Sequence, residues 1–308
     1  MTLNGLKSII KRPWNIIYGL SWRGMLDWMS DEAHFKLFYR EYMGKRLKLD
    51  PPRSFNEKIV WLSLHDRRPE YTIMVDKHKA KEYVGNIIGH EHIIPTLAVY
   101  DSVNDIDFDA LPDQFVLKTN HDSQGLVICR DKAKLDRKTA IEKLNNAIQR
   151  DFYKSTREWP YKDVERKIIA EKYMDDGSGG LRDYKIFCFN NEPKFLYISE
   201  GLEDHSTAKM GFFTFDGEQL PFYRADYNRF EQAPPMPEGL EEMIAISDKL
   251  AKKINRPFVR LDFYSVKGTI YFGEITLCPA CGKNKIEPEE WLYTLGEWIT
   301  LPENMEEK

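Results

Sequence analysis

Apolar residues in the first fifty positions recur at helical spacing, through Met25, Trp28, Phe35, Phe38 and Tyr42, which predicts helix over residues 1 to about 50. Pro51-Pro52 stops the pattern. Ser54-Phe55-Asn56-Glu57 then has the capping-box form, a hydroxyl followed three residues later by a carboxylate, and it leads into the apolar Ile59, Val60, Trp61 and Leu62. A second helix is expected there. Asp76 to Val84 reads as a further short basic helix, and Ile93-Ile94-Pro95 begins an extended connection.

From Phe115 the period shortens to that of strands. Phe115-Val116-Leu117-Lys118-Thr119 and Leu126-Val127-Ile128-Cys129 bracket a long polar tip, Asn120 to Gly125, as a hairpin would. Residues 137 to 152 predict an amphipathic helix, and Lys167-Ile168-Ile169-Ala170 a strand ending at Glu171-Lys172-Tyr173-Met174. Strands follow at Asp183–Phe189, Lys194–Ser199 and Phe212–Phe215, then a helix from Glu238 to about Ile254. Phe258–Val266 and Thr269–Leu277, joined by Lys267-Gly268, form a tight hairpin. No internal repeat is visible, and the Pro-rich stretch at 234–237 reads as a loop.

Length adds that 308 residues suffice for a multi-lobed domain with a sizeable core. A net charge of -4 argues against a general polyanion-binding surface, so no nucleic-acid role is expected. Cys278 and Cys281 form a Cys-x-x-Cys without a second pair or a His at ligand spacing, which argues against zinc. The cysteine usage fits a reducing cytoplasm. No apolar run reaches bilayer length. Residues 1–24 carry Lys7, Lys11, Arg12 and Arg23 and no acidic residue, interleaved with Ile9, Ile10, Trp14, Ile16, Ile17, Tyr18 and Trp22. That suits a helix resting peripherally on the inner face of an anionic membrane; it suits equally a basic arm packed on the protein or on a second subunit.

The final hairpin carries the candidate chemistry. Arg260 and Asp262 are two apart on one strand, Glu274 and Thr276 two apart on the other, so pairing aims two carboxylates, a hydroxyl and a guanidinium at one patch. Carboxylates bind hard Mg²⁺, and an arginine that cannot lose its proton stabilises charge on a transferring phosphoryl group. A solvated sheet face with ordinary cross-strand partners has the same composition.

Upstream, Asp76-Lys77, Lys118 before the polar tip, and Glu171-Lys172-Tyr173-Met174 occur in order. With these the sequence resembles the ATP-grasp superfamily. It is most similar to the branch of teichuronopeptide and capsular-polysaccharide synthesis, through Ser54-Phe55-Asn56-Glu57-Lys58, Phe115-Val116-Leu117-Lys118-Thr119-Asn120, Asp183-Tyr184-Lys185 and Gly273-Glu274-Ile275-Thr276, over roughly residues 50 to 300. The resemblance implies an α+β ATP-grasp fold, two lobes gripping ATP between antiparallel sheets, with a mainly helical N-terminal region at 1–75 and lobes at 76–172 and 173–308.

It further implies Lys77 and Lys118 on the ATP phosphates, with Lys185 and Lys209 as further nucleotide-contacting lysines and Asn120–Gly125 as the flap. Glu171 would stand at the hinge, the backbone of Lys172, Tyr173 and Met174 at adenine, and Asp175 or Asp176 at the ribose. Asp262, Glu274 and Thr276 would hold Mg²⁺, and Arg260 would be the catalytic charge stabiliser. Two departures stand out: the flap Asn120-His121-Asp122-Ser123-Gln124-Gly125 has a single glycine, and Thr276 stands where many relatives have Asn. The implied reaction joins a carboxylate, such as a uronic acid of a surface glycan, to an amine or amino acid through an acyl-phosphate. A glycosyltransferase and a non-catalytic ATP-binding scaffold are the rival readings.

Overall fold

The computed structural model describes residues 14–122, 125–177, 181–201 and 206–302. Its helical start is interrupted where a continuous pattern was predicted: α1 (Trp14–Trp22) and α2 (Asp31–Met43) are separate. Ser30 explains the restart, since its hydroxyl accepts the Ala33 N–H at 3.3 Å and caps α2, while Gly44 at φ 69° closes it. Residues 1–13, most of the basic arm, lie outside the described residues. Helices α3 (Phe55–His65), α4 (Glu70–Val75) and α5 (Lys79–Ile88) follow. Glu57 closes the capping box of α3 by accepting the N–H groups of Arg53 and Ser54, each at 2.9 Å.

Strands β1 (Thr96–Tyr100), β2 (Phe115–Thr119), β3 (Leu126–Cys129) and β4 (Ile168–Lys172) build an antiparallel sheet in the order β1-β4-β2-β3. The predicted hairpin is β2–β3, with Lys118 opposite Leu126. Phe115, Leu117, Ile168 and Ala170 bury one face of this sheet with Leu144 of α6 (Arg137–Ile148). The helix predicted to residue 152 ends at 148, and Asp151 caps a new one, α7 (Phe152–Thr156), by accepting from Lys154 N at 3.0 Å. A sugar-nucleotide site of the doubly wound type needs parallel strands at this point. Described residues up to 110 carry the single strand β1, and β1 to β4 pair antiparallel, which does not match the strand-rich first half that the glycosyltransferase alternative expects.

The second sheet runs β11-β10-β5-β6-β7-β9, from β5 (Asp183–Phe189), β6 (Glu192–Glu200), β7 (Lys209–Phe213), β9 (Asn228–Arg229), β10 (Phe258–Val266) and β11 (Thr269–Thr276). A short ribbon pairs β8 (Tyr223–Arg224) with β12 (Ile286–Glu287). Both faces of the large sheet are covered. Ile186, Cys188, Leu196, Ile198, Val259, Leu261 and Phe263 lie against Met243, Ile246 and Leu250 of α8 (Leu240–Ile254). On the other face Phe187, Phe189, Phe195, Phe212 and Phe258 meet Phe55, Ile59 and Leu62 of α3 and Leu292 and Leu295 of α9 (Glu290–Glu297). Each such aromatic contributes about 1.5–3 kcal/mol when fully buried. The second face is apolar at one end only: along β5 and β10 it passes from Phe189 and Phe258 to Lys185 and Asp262.

Helices α1 and α2 are joined by the buried His34, which hydrogen bonds Ser21 Oγ at 3.1 Å and stacks on Phe38 at 4.2 Å. Burial, reinforced by the charges of Arg157 and Lys283, lowers its pKa from 6.5 to about 3. The unfolded chain therefore binds the proton that the folded chain refuses, and stability present above pH 6.5 is lost as pH falls toward 3. Replacing His34 by Gln is expected to flatten the acid dependence of the urea midpoint between pH 7.5 and pH 5. Parallel acid slopes in the two proteins would contradict this assignment.

Candidate nucleotide and metal site

The charged end of the large sheet is organised by one irregularity in β11. Asp262 faces Glu274 and Arg260 faces Thr276, but Phe263 pairs with Phe272, so Gly273 is an extra residue, a β-bulge. Without it, alternation would put Ile270, Phe272, Glu274 and Thr276 on one face. With it, Ile270 and Phe272 enter the core beside α8 while Glu274 and Thr276 join Arg260 and Asp262. A Cβ at Gly273 would stand 3.0 Å from the Asp262 carbonyl oxygen.

Arg260 touches the other three predicted side chains. Arg260 forks onto Asp262, Nε to Oδ1 at 2.7 Å and Nη2 to Oδ2 at 2.6 Å, and Nη2 also reaches Thr276 Oγ1 at 2.9 Å and Glu274 Oε1 at 3.3 Å. Thr276 donates to Glu274 Oε1 at 3.1 Å. Lys185, buried on the neighbouring strand, sits 3.4 Å from Asp262 and 3.3 Å from Asp183. Lys77 approaches Glu274 Oε2 at 3.7 Å. Burial would raise the Glu274 carboxyl, but Lys77, Arg260 and Lys185 overcome it and hold the pKa at about 2. Asp262 is pushed upward by burial, with Arg260 and Lys185 opposing.

Lys77 also ties in the tip of the β2–β3 hairpin, donating to the Asp122 carbonyl at 2.7 Å. The root of the tip is pinned by Asn120, fully buried, which donates to Asp76 Oδ1 at 2.9 Å and accepts from Lys167 N at 2.8 Å. Asp122 Oδ1 accepts from Thr119 Oγ1 at 2.5 Å and from Gly125 N at 2.9 Å. A carboxylate thus fastens this one-glycine turn; Ser123 and Gln124 lie outside the described residues.

Lys118 pairs with Glu171 Oε2 at 2.7 Å, and Lys81, which the motifs did not single out, pairs with Oε1 at 2.5 Å. Burial would raise the Glu171 carboxyl, and Lys118 and Lys81 lower it instead. The Lys172 N–H donates to Pro95 O at 3.0 Å, so that group is already used within the sheet, and Tyr173 Oη accepts from Arg130 at 3.2 Å. Met174 and Asp176 follow directly on β4, in the loop toward β5. Lys209 opposite Glu200 opens β7, separated from β11 by the three strands β10, β5 and β6, and no described contact joins it to the cluster.

The Ser54–Lys58 motif also acts on the site from behind. Asn56, fully buried, donates to Asn284 O at 2.9 Å and accepts from Asn284 N at 3.0 Å, fixing the loop that leaves β11. Within that loop Cys281 donates to Glu158 Oε1 at 3.2 Å. Burial pushes the Glu158 carboxyl up to about 7, partly offset by the Cys281 hydrogen bond and Lys283. All four cysteines are free, and burial raises the Cys278 thiol to about 12.

Among the described residues no three His, Cys, Asp or Glu side chains converge as a self-sufficient metal cage. A carboxylate pair suits Mg²⁺ arriving on phosphates, since that ion keeps water and takes only one or two protein carboxylates. Glu274 fits best: its side chain is 37% exposed, it stays ionised, and among the described residues the cation recorded against Oε2 is Lys77, at 3.7 Å.

The sequence profile of the family described as TupA-like ATPgrasp matches residues 57–300. No curated protein matches the chain. Among solved structures it is similar to a D-alanine–D-alanine ligase from Helicobacter pylori, at 14% identity and a TM-score of 0.47, over 80% of this chain and 71% of that one. The D-alanine–D-alanine ligase from Bacillus anthracis gives 16% identity and a TM-score of 0.42, over 74% and 66%. D-cycloserine synthetase DcsG gives 14% and 0.43, over 88% and 80%. The chain thus spans just under two thirds of the Bacillus anthracis ligase.

Gly273→Val tests the bulge. Crowding against the Asp262 carbonyl and the Tyr264 ring is expected to cost about 1–3 kcal/mol. An unchanged denaturation midpoint would show that the bulge tolerates a side chain and does not fix the register.

Proposed function

The chain belongs to the TupA-like ATP-grasp family, and from that premise we propose that it is an ATP-dependent carboxylate–amine ligase that attaches an amino acid or other amine to a uronic acid of a surface polysaccharide. An ATP-grasp enzyme is the class this membership assigns. The observation that carries the reading is the contact cluster of Arg260, Asp262, Glu274 and Thr276, with Lys77 and Lys185 at its edge.

In this reading a substrate carboxylate attacks the γ-phosphorus of ATP, the bond to the bridging oxygen breaks, and ADP leaves. The amine then adds to the acyl-phosphate carbonyl, sheds a proton and expels phosphate. Asp262, Glu274 and Thr276 would hold Mg²⁺, which when bound neutralises phosphate charge. Arg260 stabilises the moving phosphoryl group and the tetrahedral centre, and its fork to Asp262 keeps it oriented. Lys77 and Lys118 receive the phosphates, with Lys185 behind them. The backbone at Tyr173 and Met174 takes adenine, Glu171 braces the hinge, and Asp176 serves the ribose. Lys209 would need a movement of β7 or a different role, since it touches none of these groups. Catalysis is positioning and electrostatics.

A cytoplasmic location goes with ATP consumption. No described helix is long and apolar enough to cross a membrane. Contact with the inner membrane face through residues 1–24 completes the proposal, supported by the basic arm and the exposed Ile16, Met25 and Trp28. Substituting Lys7, Lys11 and Arg12 by Ser is expected to lower recovery with anionic liposomes; equal flotation would remove this part.

Glu274→Gln is the direct test of activity. With Mg-ATP, a panel of uronates and mixed amino acids, the folded variant is expected to release ADP at least about tenfold more slowly than the wild type. Unchanged turnover would remove the metal-ligand role, and wild-type nucleotide binding without any ADP or amide would favour the scaffold.

A further inference from the structure

The two lysines on Glu171 are not equivalent. Lys81 Nζ lies 2.8 Å from Ile94 O, 2.9 Å from Thr96 Oγ1 and 2.5 Å from Glu171 Oε1. Two of its three ammonium protons are held by Ile94 O and Thr96 Oγ1, and the charge stands against Glu171 Oε1 as an ion pair. Lys81 is therefore fixed, and it binds the start of β1 to the end of β4. Lys118, on the other carboxylate oxygen, has that single ion-pair partner among the described residues and is the more exposed of the two, 19% against 12%. Only Lys118 is free to turn to another anion.

Such a turn has an electrostatic consequence. The Glu171 side chain is 5% exposed, and a buried carboxylate that loses its counter-ion is strongly destabilised. If Lys118 leaves for a phosphate, something must keep Glu171 neutralised. We propose that Lys81 is this permanent counter-ion, a positioning residue that lets Lys118 exchange Glu171 for the nucleotide phosphates. The proposal rests on the reading of Lys118 as a phosphate-binding residue. Lys81 itself makes no phosphate contact in it; its effect reaches the nucleotide through Glu171 and Lys118.

The test is calorimetric titration with Mg-ATP, Mg-ADP and adenosine, using wild type, Lys81→Met, Glu171→Gln and the double variant, and it needs no ligase substrate. With Lys81→Met, Lys118 stays locked on Glu171, so Mg-ATP and Mg-ADP are expected to bind about tenfold or more weakly while adenosine is unchanged. Adding Glu171→Gln removes the buried charge and restores the phosphate-dependent part. A merely structural Lys81 would weaken adenosine and ATP in parallel, which overturns the proposal. Should Lys81→Met fail to fold, the comparison of Glu171→Gln with the double variant decides: equal Mg-ATP affinities are expected, and a further loss in the double variant overturns it. Unaltered Mg-ATP affinity in a folded Lys81→Met refutes this role alone, whereas a wild type that binds no Mg-ATP refutes the nucleotide site on which it rests.

Discussion

A β-strand shows its side chains to alternate faces, and β11 must nevertheless deliver Ile270 and Phe272 to the core and Glu274 and Thr276 to the site. The extra residue at Gly273 meets that constraint by resetting the alternation between Phe272 and Glu274. The convergence of the four hairpin side chains follows from that reset. Asp262 comes opposite Glu274, Arg260 opposite Thr276, and the guanidinium can reach all three. On the reverse side Leu261, Phe263, Ile275 and Phe272 pack into one apolar cluster with α8, which fixes the strand pair so firmly that the charged face has no freedom to slip.

Charge balance does comparable work. Asp262 is matched by Arg260 and Lys185, Glu274 by Arg260 and Lys77, and Glu171 by Lys81 and Lys118. Each carboxylate thereby remains usable in a partly buried setting where an isolated charge would be expelled or protonated. On the proposed reading Lys77, Lys118 and Lys185 are the groups that a polyphosphate would attract, so nucleotide entry would be an exchange of partners within an existing network, with Lys81 staying on Glu171. Lys77 spans the carbonyl of Asp122 and the carboxylate of Glu274, which couples the small sheet's hairpin to the charged face of the large sheet.

Much of this was legible in the chain. Alternation over Phe258–Val266 and the turn residues Lys267 and Gly268, both at positive φ, announce the hairpin, and period two places Arg260 with Asp262. Pairing of the two strands was expected to bring Glu274 to them, yet regular alternation from the Lys267-Gly268 turn would send it to the opposite face; the bulge at Gly273 makes the contact, and a glycine inside a strand was its available signal. Lys81 was invisible because its meaning depends on Ile94, Thr96 and Glu171, which are distant in sequence and meet only through the fold. The break between α1 and α2 was missed because apolar periodicity runs through Met25 and Trp28, both exposed, while the restart is set by Ser30. Asn56 reads as part of a helix start, yet its amide acts more than two hundred positions away on Asn284.

The central claim, that the face built by Arg260, Asp262 and Glu274 receives a magnesium-bound nucleotide, is tested most directly by titrating the wild-type protein with ATP calorimetrically, with Mg²⁺ present and again with the ion removed by EDTA. Saturable one-to-one binding that weakens sharply when the ion is removed is the expected result. ATP affinity indifferent to Mg²⁺, or no binding to the folded protein, would contradict it.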